Sequence, residues 1–143
     1  MVRIVNVIDI QAPAEEVYRT LRALDAYPTW LTHSLVYRGT AAEASPPGGY
    51  VDATTVGRMR GELEEDVPER TLRFHQAKPS GSVDAIIRYE LEPRGTGVQV
   101  TRIGELTTHG MLRVAQPVLV RMAAGESKRT MAALKRHLEH ATA

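Results

Sequence analysis

Residues 83–92 read Val83-Asp84-Ala85-Ile86-Ile87-Arg88-Tyr89-Glu90-Leu91-Glu92. Val83, Ala85, Ile87, Tyr89 and Leu91 fall on one side of an extended chain, and Asp84, Arg88, Glu90 and Glu92 on the other; Ile86 alone breaks the rule. A period of two marks a strand with one dry and one wet face, and such strands build antiparallel sheets. The run Pro93-Arg94-Gly95-Thr96-Gly97 then predicts a hairpin loop into a strand at 97–107.

Upstream, strands are expected near 33–40, 50–57, 59–67 and 71–78. Pro68-Glu69-Arg70 and Ser45-Pro46-Pro47-Gly48-Gly49 are the turns between them. Residues 2–10 predict a first strand, with Val2, Ile4, Ile8 and Ile10 apolar and Asn6 the exception. Pro13 opens a helix, Glu15 and Glu16 suit the dipole of its first turn, and Val17, Leu21 and Leu24 form its apolar face. A second short helix is expected from about Pro28 to Thr32.

Downstream, a long helix is expected over about 110–140. Met111, Val114, Ala115, Val118, Leu119 and Met122 recur at helical spacing, and the stripe resumes at Met131, Leu134 and Leu138. Pro117 predicts a kink or a restart, and Gly125 is a second weak point. The reading is one α+β domain over 1–143: about seven antiparallel strands curved around the last helix, with two short helices after strand one.

A chain of 143 residues fits one domain and buries enough surface to fold without a metal or a disulfide. It has no cysteine, which excludes a disulfide framework, a thiol nucleophile and cysteine-ligated zinc. Eighteen basic against 17 acidic residues give no global charge that argues for nucleic acid. The start MVRIVNVIDI lacks the features of a signal peptide. The longest apolar stretch, Met111 to Ala124, is broken by Arg113, Gln116 and Arg121, so no transmembrane segment is expected and the cytoplasm is the default.

Three segments carry a resemblance. They are Ile8-Asp9-Ile10-Gln11-Ala12-Pro13-Ala14-Glu15-Glu16-Val17-Tyr18, Tyr27-Pro28-Thr29-Trp30, and Leu91-Glu92-Pro93-Arg94-Gly95-Thr96-Gly97-Val98. In this order, with the last helix, the chain resembles the START-like superfamily, which includes the birch-pollen-allergen fold. It is most similar to the polyketide cyclase/dehydrase and lipid-transport group. The resemblance implies a helix-grip fold with a cavity between sheet and helix. It implies no single function and no catalytic motif, because the superfamily hosts carriers, receptors, cyclases and subunits of larger systems.

Polar residues on the inward sheet face are the candidates for chemistry. Strand parity puts Tyr89 there, Gln76 with Leu72 and Phe74, Glu65 between Leu63 and Val67, and Arg102 in period with Val98 and Val100. Glu65 and Arg102 are expected either to pair or to orient a polar ligand group, unless a bulge or strand end takes one of them to water. Trp30 either closes the cavity mouth or anchors the second helix. His109 sits just before the long helix, where such cavities open. Met111, Val118 and Met122 are expected partly in the core and partly on the cavity. Glu62, Glu64 and Asp66 alternate as a solvated outer face.

The five histidines show no metal-ligand spacing, and His33, His75 and His109 lie on separate elements. No metal or other cofactor is called for, and no Gly-x-Ser-x-Gly elbow is present. The leading expectation is a module that binds a small hydrophobic or aromatic molecule of lipid, isoprenoid or polyketide type. The alternatives are a cyclase, dehydratase or aromatase that uses Arg102, Tyr89, Glu65 and His109, and an interaction subunit. Whether the chain forms a homo-oligomer is left open.

Overall fold

The computed structural model describes residues 1–32, 34, 36–43 and 48–141. Seven strands form one antiparallel sheet: β1 Val2–Ile10, β2 Tyr37–Glu43, β3 Gly49–Thr54, β4 Gly57–Val67, β5 Thr71–Ala77, β6 Val83–Arg94 and β7 Gly97–Thr108. Their order is β1-β7-β6-β5-β4-β3-β2, so β1 and β2 are the two edges. Between them run α1 Ala14–Arg22, a 3-10 turn Leu24–Ala26, and α2 Tyr27–Trp30. After β7 come α3 Met111–Val114 and the long α4 Gln116–Ala141. This is the expected helix-grip arrangement.

The alternation that predicted β6 holds in three dimensions: Val83, Tyr89 and Leu91 are buried on the concave face. The hairpin after it is tighter than predicted, since Arg94 already pairs with Gly97. The second strand begins at Tyr37 rather than near 33. His33 and the Ser45-Pro46-Pro47 part of the predicted loop lie outside the described residues.

The helix predicted over 110–140 is two helices. It breaks at Ala115 and restarts with Pro117 in the first turn of α4, where a missing N–H costs nothing. The C-terminal half of α4 packs down, with Met131, Leu134 and Leu138 buried against the cluster of Ile10, Val17, Leu21 and Val100. Ser127 donates to the Asn6 side chain, which gives the one polar residue of the β1 inner face its partner.

Two bulges bend the sheet. One lies in β2 between Tyr37 and Gly39, the other in β4 between Leu63 and Glu65. The second places an extra residue in β4, so every side chain beyond it changes face. Leu63 pairs with inward Phe74, but Glu65 pairs with outward Arg73. Three parity readings are therefore corrected. Glu65 is on the outer face, 3.3 Å from Arg88 Nη1. Asp66 leaves the outer face and accepts from Tyr18 Oη at 2.6 Å and Arg22 Nε at 2.8 Å on α1. Val67 is 44% exposed rather than inward.

Candidate functional site

Helix α4 carries Leu119, Met122, Glu126 and Thr130 on the side that faces the sheet, and two adjoining pockets lie beneath them. The outer pocket, about 170 Å³, is apolar: Ile4, Met59, Val83, Leu106 and Met122 form much of its wall. The inner pocket, about 130 Å³, is rimmed by Tyr27, Tyr37, Tyr50, Asp52, Tyr89 and Thr130. Both are lined by Val36, Thr54, Gln76, Ile87, Arg102 and Glu126. The polar side chains Gln76, Arg102 and Glu126 thus stand where the two meet.

Arg102 and Tyr89 are direct partners across β7 and β6. Arg102 Nε donates to Tyr89 Oη at 3.1 Å, and the guanidinium carbon lies 5.8 Å from the tyrosine ring centroid. One of five guanidinium N–H donors is used in this way. Tyr50 Oη donates to Gln76 Oε1 at 2.7 Å, which leaves the Gln76 amide hydrogens for another acceptor. The Tyr50 ring can lie over β4 because residue 61 is glycine. A Cβ there would stand 2.4 Å from Tyr50 Cζ. Phe74 meets Tyr50 and Tyr89 edge to face, at 5.9 and 6.2 Å between centroids, and locks both rings.

Asp52 and Glu126 are the two acids that line the inner pocket. Thr40 Oγ1 donates to Asp52 Oδ1 at 2.6 Å. Thr40 has one proton, so the 3.0 Å contact between Tyr37 Oη and Thr40 Oγ1 runs from tyrosine to threonine. Burial pushes the Asp52 carboxyl up to about 6, against the weaker opposing pull of Thr40 and of the Arg102 charge. Burial also raises Tyr27, Tyr37 and Tyr50 above the usual phenol range, so all three are neutral donors at physiological pH.

Of the residues singled out in the sequence, Phe74, Gln76, Tyr89, Arg102 and Met122 come together here. Five do not. Glu65 is on the other side of the sheet, beyond the β4 bulge. Trp30 is buried away from both pockets, between Tyr27 at 5.0 Å and His137 at 6.3 Å. His109 is exposed and lines neither pocket. Met111 is 91% exposed, because the break at Ala115 destroys the phase that joined it to Met122. Val118 is on the same helix as Met122 but 61% exposed, because the side of α4 turned to the pocket runs through Leu119, Met122 and Ala123. Asp52, Tyr50 and Glu126 were not singled out. The signals were there: Tyr50, Asp52 and Thr54 alternate, and Glu126 sits four residues after Met122, in the gap of the apolar stripe.

The family model for polyketide cyclase/dehydrase and lipid transport proteins matches residues 1–139, and the chain belongs to that family. No curated protein matches the sequence. Among solved structures, a START superfamily protein from Mycobacterium smegmatis is 13% identical with a TM-score of 0.75, over 96% of this chain and 97% of that one. A protein from Thermus thermophilus is 15% identical with a TM-score of 0.74, over 99% and 100%. The di-domain aromatase/cyclase StfQ of the steffimycin biosynthetic pathway is 13% identical with a TM-score of 0.75. This chain is covered over 99% of its length and spans 52% of that di-domain. At these identities the likeness is one of fold.

Proposed function

We propose that this member of the family binds a small, largely apolar molecule with one oxygenated end. The observation that carries the reading is the chemical division of the paired pockets. The outer pocket offers apolar wall, the inner one aromatic and polar groups, and Arg102, Gln76 and Glu126 stand between. Each pocket alone is smaller than the ~300–1,000 Å³ usual for ligand sites, so the ligand spans both. Its apolar body lies against Met59, Leu106 and Met122, and burial there drives binding. Its polar end accepts from Arg102 and Gln76, for whose remaining donors no acceptor is found among the described residues.

The membership of the family supports this reading, and the aromatase/cyclase name of one structural neighbour supports a second. In that reading the pocket does acid–base chemistry. A carboxyl that titrates near 6 is suited to take and return protons at neutral pH. Asp52 would remove a proton from carbon next to a ligand carbonyl, the electron pair would move onto the carbonyl oxygen, and Arg102 would hold the resulting enolate. Asp52 thus replaces Glu65 as the carboxylate of the enzyme alternative.

The test uses 8-anilinonaphthalene-1-sulfonate, an apolar ring system with an anionic end. Binding with enhanced fluorescence, weakened by Arg102→Met and blocked by filling the outer pocket with Ala85→Phe, is the expected result. Fluorescence indifferent to both changes refutes the reading. Turnover of a poly-β-ketone, abolished by Asp52→Asn while dye binding persists, selects the enzyme reading over simple binding.

A further inference from the structure

We propose that the face formed by α3 and the first turns of α4 docks on an anionic lipid membrane, with the outer pocket opening toward the bilayer. Met111, Val114 and Val118 are 91%, 87% and 61% exposed. They are three of the most exposed large apolar side chains described, and they fall within eight residues of sequence. Water is a poor environment for such a cluster, and nothing among the described residues covers it. The next turn of the same segment, Leu119, Met122 and Ala123, lines the outer pocket. The exposed cluster therefore borders the pocket's apolar wall.

Charge selects the occupant. From Leu106 to Gly125 the chain has Arg113 and Arg121 and no acidic residue, while Glu105 and Glu126, just beyond its two ends, line the pocket itself. Opposite, the β3–β4 turn brings Thr55 and Val56 to the same pocket, and Arg58 follows it. Lys78 reaches over that turn: its Nζ lies 3.4 Å from the position a Cβ on Gly57 would take. An apolar ridge near which the four cations Arg58, Lys78, Arg113 and Arg121 outnumber the two acids Glu105 and Glu126 matches the acyl–headgroup boundary of an anionic bilayer. A second copy of the chain would bring the same cations face to face. No helix among the described residues is long and apolar enough to cross a membrane, so this is surface docking. The proposal concerns the exterior and stands whether or not the pocket reading holds.

The full chain is sedimented with vesicles of phosphatidylcholine alone and of phosphatidylcholine mixed with phosphatidylglycerol. The mixed vesicles are expected to retain it, less so as salt rises, and the neutral ones are not. Replacing Met111, Val114 and Val118 together by serine, or Arg113 and Arg121 together by glutamate, is expected to lower partitioning by roughly tenfold or more. Thermal melting and dye binding should be unchanged, since these side chains are exposed. No retention by either vesicle, or retention equal in the variants, overturns the proposal. So does a dimer in sedimentation velocity that the serine variant abolishes without any vesicle binding. Absence of dye binding by the wild type with vesicle binding intact refutes the pocket reading alone.

Discussion

Arg102 Nε donates to the Tyr89 hydroxyl 3.1 Å away, and the two residues are direct cross-strand partners on the concave face. The tyrosine fixes the stem of the arginine and leaves its terminal nitrogens to the pockets. Glu65 is not its counter-ion, because the β4 bulge turns Glu65 to Arg88 on the outer face. Arg102→Met therefore breaks no salt bridge among the described residues, and takes from Asp52 only a distant charge that weakly favours its ionised form. Stability is expected to change by about 1 kcal/mol or less, the worth of one lost hydrogen bond. Affinity for the anionic dye is expected to fall about tenfold or more, as for a lost charge-assisted bond. Urea melts and dye titrations read the two effects separately, and a large stability loss would show that Arg102 serves the fold instead.

Gly61 and Tyr50 make a second test. The Tyr50 hydroxyl oxygen would lie 2.7 Å from a Cβ at position 61, so Gly61→Ala has to move the ring. The Gln76 hydrogen bond and the edge contact with Phe74 go with it. The expected cost is about 1–3 kcal/mol. In a Tyr50→Ala background the same Gly61→Ala change should cost nearly nothing, since the clash is gone. Additive losses in that cycle would refute the contact as the cause.

Asp52 predicts a pH dependence with a definite sign. Its folded carboxyl titrates at about 6 against an ordinary 3.8, so between those values the native state holds a proton that the unfolded state has lost. Stability from this group is full below the lower value and falls as pH rises through the window. Asp52→Asn keeps an acceptor for Thr40 and removes the charge. It is expected to be more stable than the wild type by about 1–3 kcal/mol at pH 7.5, with little difference at pH 3.5. Denaturant midpoints at the two pH values measure this, and an Asn variant that tracks the wild type at both would refute it.

The strands, their order and the closing helix were legible because binary patterning repeats over many residues and tolerates local error. Parity alone put Gln76, Tyr89 and Arg102 on the concave face, since β5, β6 and β7 pair without a bulge. The same argument failed on β4, where one extra residue at Leu63/Glu65 reverses every face beyond it, and nothing local in Leu63-Glu64-Glu65-Asp66 announces the bulge. It failed again at Met111, whose helical period with Met122 the restart at Ala115 destroys, and at Val118, which shares an unbroken helix with Met122 but lies off the pocket-facing line of Leu119, Met122 and Ala123. Asp52 and Glu126 were missed for another reason. A carboxylate in a pocket looks in sequence like one on a wet face, and only the register of β3 against β4 and the packing of α4 separate them.

Trp30 separates packing from binding. It is 7% exposed, and its ring lies against Tyr27 of α2 and His137 of α4. A four-residue helix does not hold itself together, so α2 depends on what its last side chain buries. Trp30→Ala would remove that anchor and open a cavity between α2 and α4, where the surrounding rings have no smaller partner to close on. The expected loss is about 3–5 kcal/mol. Neither pocket under α4 is lined by Trp30, so the folded fraction should bind dye with wild-type affinity. Trp30→Phe keeps an aromatic ring at the site and should recover more than half of the loss. Guanidinium melts of the three proteins, each with a dye titration under native conditions, decide the matter. A small stability loss accompanied by weakened dye binding would instead make Trp30 a gate on the pocket, and α2 the element that carries it.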